Sequence, residues 1–353
     1  MQVQSTPNPK GTGRDPAIDG VKGIAILLVM LGHCIVLNGL DQSDPYLYDL
    51  IKSVQMPLFM LISGIVAAKS GLTFPKLKKR AISYLLPFFV WFVIAYFWAR
   101  IRDSISGNSY EIGAGDFAKE LWQLLFQTDR GLWFLTTLFM ITLVMTISTC
   151  AVKNKWVSLI ITALFYLGFI LQARSGFLLL SPALTVLYMP YYVMGYYWET
   201  WGLSEILTKK KTGHFWLISA ASLMICLALV VLFPLTVPVD GIVTLAVQMG
   251  ASLTGTIGIF GCCYLIFSGK NAAFLGFIGQ YTLEIYVLHF RFARLLHLSE
   301  KNLTLYSLRG MGWLLLCFLL MSALTAASVF ILKKIPLCDL LLFGKGRRKK
   351  EKT

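Results

Sequence analysis

The sequence predicts an all-α, polytopic helical membrane protein, and two features of its composition support this fold class. Of the 353 residues, 57% are hydrophobic and only 14% are charged, whereas soluble domains carry nearer a quarter charged residues. The hydrophobic residues also fall in blocks of about 20, the length that a helix needs to cross the hydrocarbon core of a bilayer. We therefore expect about ten transmembrane helices in a single membrane domain.

The blocks that have this length give the expected order of the spans. They are residues 21–39, 50–68, 82–100, 132–151, 156–173, 183–201, 215–234, 248–268, 274–296 and 311–332. The polar residues 1–18, which contain several prolines and glycines, are predicted to be a disordered cytoplasmic tail. The integral-membrane domain then covers residues 19–343, and residues 344–353 form a basic cytoplasmic tail.

The distribution of positive charge predicts that both termini are cytoplasmic. Most of the 32 lysines and arginines fall in the tails and in alternate loops, and cytoplasmic loops are enriched in these residues. The basic cluster at residues 345–350 is expected to contact anionic lipid. No aromatic residues interleave its charges, as they do in proteins that bind single-stranded nucleic acid, so we do not expect a nucleic-acid partner.

The first span carries two ionisable residues on one face. Lys22 and His33 are eleven residues apart, which is roughly 16 Å along a helix and close to three full turns. Ionisable groups inside a span are costly and point to function. The alternative is that Lys22 is an ordinary positive flank of the span and that His33 hydrogen-bonds a neighbouring helix.

A second histidine, His289, lies in the ninth span at a depth similar to that of His33. The two imidazoles could share a polar cavity, or each could satisfy a different contact between helices. Glu284 precedes His289 by five residues and therefore lies on another face. We expect Glu284 to pair with a lysine or an arginine in a structural role.

Histidine in this setting suits acid–base or nucleophilic chemistry. Its ordinary pKa lies near neutrality, so it can take a proton from a sugar or alcohol hydroxyl, or it can accept an acyl group itself. We expect no metal site, because His214 and His297 stand at helix ends and neither the seven cysteines nor any carboxylate falls at ligand spacing.

Two loops could contribute to a site. Lys78, Lys79 and Arg80 would suit a phosphorylated donor at the cytoplasmic mouth, although such a cluster is also typical of an ordinary inner loop. The longest outer loop, residues 100–131, is expected to contain a short amphipathic helix that includes Trp122. This loop either covers an acceptor site or is a solvated connector.

Taken together, several segments resemble the acyltransferase 3 family of bacterial integral-membrane acyltransferases, in particular the stand-alone sugar O-acetyltransferases that are similar to fucose 4-O-acetylase. The segments occur in the family's order over nearly the whole chain. They are Asp19–His33, Met56–Gly64, Lys79–Phe88, Gly131–Leu135, Gly279–His289 and Pro336–Gly344. The family usually has arginine where Lys22 stands, and lysine keeps the charge but loses the planar fork.

The resemblance implies transfer of an acetyl group from cytoplasmic acetyl-CoA to a saccharide hydroxyl in the bacterial inner membrane. The acceptor would be a lipid-linked or cell-surface glycan, such as lipopolysaccharide O-antigen. Acetyl-CoA would be a substrate, with no permanently bound cofactor. The implied residues are His33, Lys22 and His289 for catalysis, Lys78, Lys79 and Arg80 for the donor, and Trp133, Ser63 and Asp19 on the acceptor side.

Two other classes of protein compete with this interpretation. A secondary transporter would also have many spans, intramembrane histidines and helices interrupted by glycine, but it predicts internal repeats, and the two halves of the chain show no obvious similarity. A non-catalytic membrane scaffold would not need the intramembrane charges.

Overall fold

The computed structural model describes residues 15–105, 114–126, 131–177, 179–203, 212–233, 241–267, 273–296 and 303–345. These residues form helices joined by short connections, and no β-strand occurs among them. The α-helices are α1 (Pro16–Leu37), α2 (Tyr46–Ser70), α3 (Phe74–Ile105), α4 (Ala114–Phe126), α5 (Trp133–Ala151), α6 (Lys155–Arg174), α7 (Pro182–Thr200), α8 (Thr212–Leu232), α9 (Gly241–Phe267), α10 (Ala273–Gln280), α11 (Thr282–Leu295), α12 (Leu308–Leu332) and α13 (Pro336–Phe343).

Eight of the described helices are long and apolar enough to cross a membrane, and they confirm the predicted fold class. They are α1, α2, α3, α5, α6, α8, α9 and α12. The predicted span at 183–201 corresponds to α7, which falls outside this set. Helix α7 has 19 residues, but its tyrosines make it less apolar than the others. The cytoplasmic placement of both termini stays a prediction.

The predicted span at 274–296 is two helices rather than one. Helix α10 ends at Gln280 and α11 begins at Thr282, with Tyr281 between them at φ −110° and ψ 16°. The chain is interrupted where Gly279 packs directly against the backbone of Asp19 in α1. The short α11 that follows carries both Glu284 and His289.

The first helix begins earlier than the sequence predicts. The predicted boundary of the N-terminal tail at residue 18 is too late, because α1 already starts at Pro16. Asp15 caps the helix, since its carboxylate accepts hydrogen bonds from the amides of Ala17 (3.1 Å) and Ile18 (3.4 Å). Proline at the first helical position suits this arrangement, as its missing N–H would have no partner there. Residues 1–14 lie outside the described residues.

Glycines bring several pairs of helices into backbone contact. A Cβ atom added at Gly64 of α2 would clash with the backbone oxygen of Tyr192 in α7, and one added at Gly195 of α7 would clash with that of Leu61 in α2. Helix α9 contacts α8 closely through Gly258, whose added Cβ would overlap Leu223. These glycines therefore allow the helices to pack closely along their backbones.

Replacing one of these glycines by alanine should destabilise the protein. We expect Gly64→Ala or Gly195→Ala to cost about 1–3 kcal/mol, because the new methyl group meets backbone that cannot rotate away. The measurement is the thermal unfolding midpoint of the purified protein in detergent. Gly168→Ala in α6 is the matched control, since no atom lies within 4 Å of the Cβ position there. Equal midpoints for all three variants would contradict the packing role.

Candidate functional site

The two intramembrane histidines lie in direct contact. The ring centroids of His33 in α1 and His289 in α11 are 5.2 Å apart, with an angle of 38° between the planes. His33 is half-buried and His289 is 1% exposed. The two rings therefore meet at one contact between α1 and α11 rather than at two separate helix contacts, while a polar cavity shared by both stays a prediction.

The hydrogen bonds of His289 fix which of its nitrogens is available. Its Nδ1 lies 3.0 Å from the backbone oxygen of Ile285, and a carbonyl oxygen can only accept, so Nδ1 carries the proton. Its Nε2 is buried and has no hydrogen-bond partner among the described residues. In this tautomer, Nε2 holds a lone pair that can accept a proton or a hydrogen bond.

A row of aromatic rings leads from this histidine pair towards the other end of α1. Tyr286 lies 5.9 Å from His289 and 5.3 Å from Phe134, and Phe134 lies 5.9 Å from Phe59 (centroid distances). On its other side His33 contacts the edge of Phe290, at 4.8 Å.

The row of rings ends in a cavity of about 210 Å³ that has a cationic and an apolar part. The charged residues in its wall are Lys22 and Arg80. The remaining wall is mainly aromatic and aliphatic, and Ser63 is also part of it. Tyr286 lines the cavity and also contacts His289, whereas neither histidine lines the cavity itself. Tyr286 is therefore the residue that connects the cavity to the histidine pair.

Lys22 is held in place by an ion pair. Its ammonium lies 3.0 Å from the carboxylate of Asp19, one turn earlier in α1, and Asp19 is buried. Asp19 thus lies at the Lys22 end of α1, away from His33. Ser63 lines the cavity together with Lys22 and Arg80. The acceptor-side roles expected for Asp19 and Ser63 stay predictions.

The basic loop contributes one residue to the cavity. Arg80 is half-buried and donates a hydrogen bond to the hydroxyl of Ser70 at 2.8 Å. Lys78 and Lys79 are exposed and do not line the cavity. The structure therefore separates the three predicted donor residues into one that faces the cavity and two at the surface.

Trp133 stands at the start of α5, next to the cavity rather than in its wall. Its ring stacks on Tyr188 with centroids 5.5 Å apart, and its neighbour Phe134 is the residue that lines the cavity. Gly131 precedes Trp133 with a φ of 60°, a conformation that glycine adopts without strain.

The charge on Glu284 is neutralised by two lysines from the C-terminal part of the chain. The fully buried carboxylate of Glu284 lies 2.9 Å from the ammonium of Lys333 and 2.8 Å from that of Lys345. Asp339 also pairs with Lys333, at 3.0 Å. Burial acts to lower the pKa of Lys333, but the hydrogen bonds to Glu284 and Asp339 outweigh it and raise that pKa. These contacts confirm the predicted pairing of Glu284 with lysine.

Helix α13 is hydrogen-bonded to α3. The indole of Trp91 in α3 donates to the backbone oxygen of Leu342 at 3.1 Å, and the hydroxyl of Ser83 donates to that of Gly344 at 3.1 Å. Ser83 directly precedes Tyr84, a residue of the cavity wall. Sequence reasoning missed Lys333, Lys345 and Tyr286, because nothing in their local sequence marks which distant residue they contact.

The outer loop contains the short helix that the sequence predicts. Helix α4 includes Trp122, and Glu120 of α4 lies 3.7 Å from Arg100 of α3. Among the described residues, no group of three or more histidines, cysteines or carboxylates could hold a metal ion. His214 lies at the start of α8 and is exposed, and His297 lies outside the described residues.

The fold and the site define a polytopic membrane protein with a buried histidine pair and a cationic cavity, and comparison with known proteins gives the family. A family model described as an acyltransferase domain, of the acyltransferase 3 family, matches residues 15–332. The chain belongs to this family.

Two curated relatives are both nodulation proteins. Nodulation protein NolL of Sinorhizobium fredii is 34% identical over 116 residues, which is 31% of each chain. The NolL protein of Mesorhizobium japonicum is 38% identical over 92 residues, 24% of each chain. The chain therefore covers less than a third of the length of these relatives. No solved structure matches.

Removing the charge of Glu284 should destabilise the bundle. In Glu284→Gln the two lysines would face each other without the carboxylate between them, so we expect a loss of about 1–3 kcal/mol. This is less than for a fully buried ion pair, because both lysines are partly exposed. The thermal unfolding midpoint measures this loss. Asp116→Asn, which changes an exposed carboxylate of α4, is the control, and equal midpoints for the two variants would contradict the neutralising role.

Proposed function

We propose that this chain is an O-acyltransferase of the bacterial inner membrane. It moves an acetyl group from cytoplasmic acetyl-CoA to a hydroxyl of a lipid-linked or cell-surface saccharide. Membership of the acyltransferase 3 family and the rhizobial relatives support this proposal. Family membership also favours it over the transporter alternative.

One observation carries the proposal. The half-buried His33 contacts His289, and a row of aromatic rings connects this pair to the cavity that Lys22 and Arg80 line. His33 makes no hydrogen bond to the described part of the chain, so its nitrogens are available for proton transfer. The two functions that acyl transfer needs, a site for an anionic donor and a base, thus lie at two ends of one helix.

The donor end would use charge and apolar surface together. Lys22 and Arg80 would bind phosphate groups of CoA, arginine through its planar fork and lysine as a point charge. The exposed Lys78 and Lys79 would add positive potential at the entrance. The apolar wall of the cavity suits the pantetheine arm, whose length would carry the thioester towards His33.

The reaction would use His33 as a general base. His33 removes the proton from the acceptor hydroxyl as the oxygen attacks the thioester carbonyl carbon. The resulting tetrahedral intermediate loses the CoA thiolate as the carbon–sulfur bond breaks, and the imidazolium returns the proton to that sulfur. His289 contacts the His33 ring and would hold it in place. In the alternative sequence, a nitrogen of His33 attacks the thioester carbon, the carbon–sulfur bond breaks and CoA leaves as its thiolate. The acceptor hydroxyl then attacks the acetyl-imidazole, the carbon–nitrogen bond breaks, and the hydroxyl proton passes to the released imidazole.

Replacing His33 should abolish acyl transfer. The purified full-length protein is incubated with radiolabelled acetyl-CoA and a crude lipid-linked glycan fraction. We expect His33→Gln to reduce transfer of label to glycan by about 10²–10⁴-fold, the usual contribution of a general base. His214→Gln, which changes an exposed histidine at the start of α8, should keep wild-type activity.

The same experiment separates the two chemical sequences. Label retained on the wild-type protein without glycan, and lost in His33→Gln, indicates the acetyl-histidine route, whereas its absence indicates direct transfer. Full transfer by His33→Gln would exclude His33 as the base. No turnover of acetyl-CoA with any glycan fraction would overturn the proposed donor.

Filling the cavity should block the donor and leave the fold intact. Leu138 lines the cavity and is buried, so the larger indole of Leu138→Trp would occupy its space. We expect the binding of acetyl-CoA to weaken at least about tenfold, which corresponds to about 1.4 kcal/mol. Isothermal titration calorimetry gives the affinity, and size-exclusion chromatography checks the fold.

Leu164→Trp is the matched control for this prediction. Leu164 is 63% exposed on α6, on a surface expected to face lipid, where a larger apolar side chain is tolerated. Equal affinities of Leu138→Trp and Leu164→Trp for acetyl-CoA would show that the donor binds elsewhere.

A further inference from the structure

Helix α11 carries an arginine close to the histidine pair that the proposed chemistry does not use. Arg291 lies two residues beyond His289 and is half-buried. Its guanidinium carbon lies 5.5 Å from the centroid of the Trp91 ring. Trp91 is two turns along α3 from Tyr84, which lines the cavity, and so lies further from the Lys22 end of the bundle.

The positive charge of Arg291 has no carboxylate partner among the described residues. None of the ion pairs described there includes Arg291. A ring face attracts a cation but does not neutralise it. Arg294, one turn further along α11, adds a like charge that acts against that of Arg291. A half-buried cation in a membrane-embedded helix is costly unless an anion compensates it.

The surroundings of these arginines connect them to the histidines. The guanidinium of Arg294 lies 4.7 Å from the centroid of Phe290, and the same ring contacts His33 at 4.8 Å. Arg291 therefore lies just beyond the histidine pair along α11, on the side away from the cavity that would take the donor. A substrate that approaches His33 from this side meets the charge of Arg291.

We propose that Arg291 binds an oxyanion of the acceptor, and hence that the acceptor saccharide is anionic or is attached to an anionic carrier. This inference rests on the proposed function, since it assumes that the acceptor reaches His33 from the arginine side. The shared chemistry is a phosphate or carboxylate group, which the planar fork of arginine binds with two parallel hydrogen bonds. The source is either the phosphate of a lipid carrier or the acid group of a sugar.

If Arg291 served only to stack on Trp91, its positive charge would not be needed. If Arg291 only packed on Trp91, an unbranched apolar side chain would replace it without affecting the binding of any anion. The proposal therefore differs from a structural role in what it predicts for binding.

The test measures binding without acyl transfer, so that its failure is distinct from that of the proposed function. The full-length protein in a neutral maltoside detergent is titrated with farnesyl diphosphate and with octyl glucuronide. Their neutral counterparts, farnesol and octyl glucoside, are the controls. We expect one anionic probe to bind at least about tenfold more tightly than its counterpart, the size of effect that a charged hydrogen bond gives.

The variants assign this preference to Arg291. Arg291→Gln should lose it, Arg291→Lys should keep part of it, and Arg174→Gln at the exposed end of α6 should keep all of it. Arg291→Met, which keeps an unbranched chain against Trp91, serves if Arg291→Gln is not monodisperse. Preference for the diphosphate identifies a lipid carrier, and preference for the glucuronide an acidic sugar. Equal binding of charged and neutral probes, or a preference that survives the loss of Arg291, overturns the proposal.

Discussion

The backbone contact between α1 and α10 is the constraint on which the rest of the site depends. A side chain at Gly23 would clash with the backbone oxygen of Leu275, and one at Gly279 with that of Asp19. The two glycines therefore let the helices touch along their main chains. Because the chain bends at Tyr281 immediately after this contact, α11 starts beside Lys22 and runs along α1. His289 then meets His33 as a result of packing at the opposite end of both helices.

Helix α1 has two chemically different ends, and the site uses this difference. The Lys22 end presents a cation, fixed by Asp19, to a cavity with a largely apolar wall. The His33 end presents an imidazole that makes no hydrogen bond to the part of the chain that the structure describes, in a setting of aromatic rings. Under the proposed function, this separation would hold the charged donor and the base at opposite ends of one helix. The row of rings through Tyr286 connects the two ends in space.

The sequence predicted those features that repeat along one helix or depend on hydrophobic length. It predicted the all-α membrane fold from the length of the hydrophobic blocks, and the similar depth of His33 and His289 from their positions within two spans. It predicted that Glu284 pairs with a basic residue because an unpaired charge inside a span is costly. It did not predict the bend at Tyr281, because the bend arises where Gly279 meets the backbone of another helix. Nor did it predict that Lys345 would reach Glu284, since the two are 61 residues apart and no local pattern links them.

The lysines that neutralise Glu284 also have a consequence for how the chain is made. During synthesis α11 emerges before Lys333 and Lys345, so it must enter the membrane with a carboxylate whose partners do not yet exist. With Glu284, His289, Arg291 and Arg294 in 14 residues, α11 is a poor substrate for insertion on its own, because each charge at the centre of a span opposes it. The ion pairs of Glu284 can therefore form only after Lys333 and Lys345 have been synthesised, the latter 61 residues after Glu284 itself.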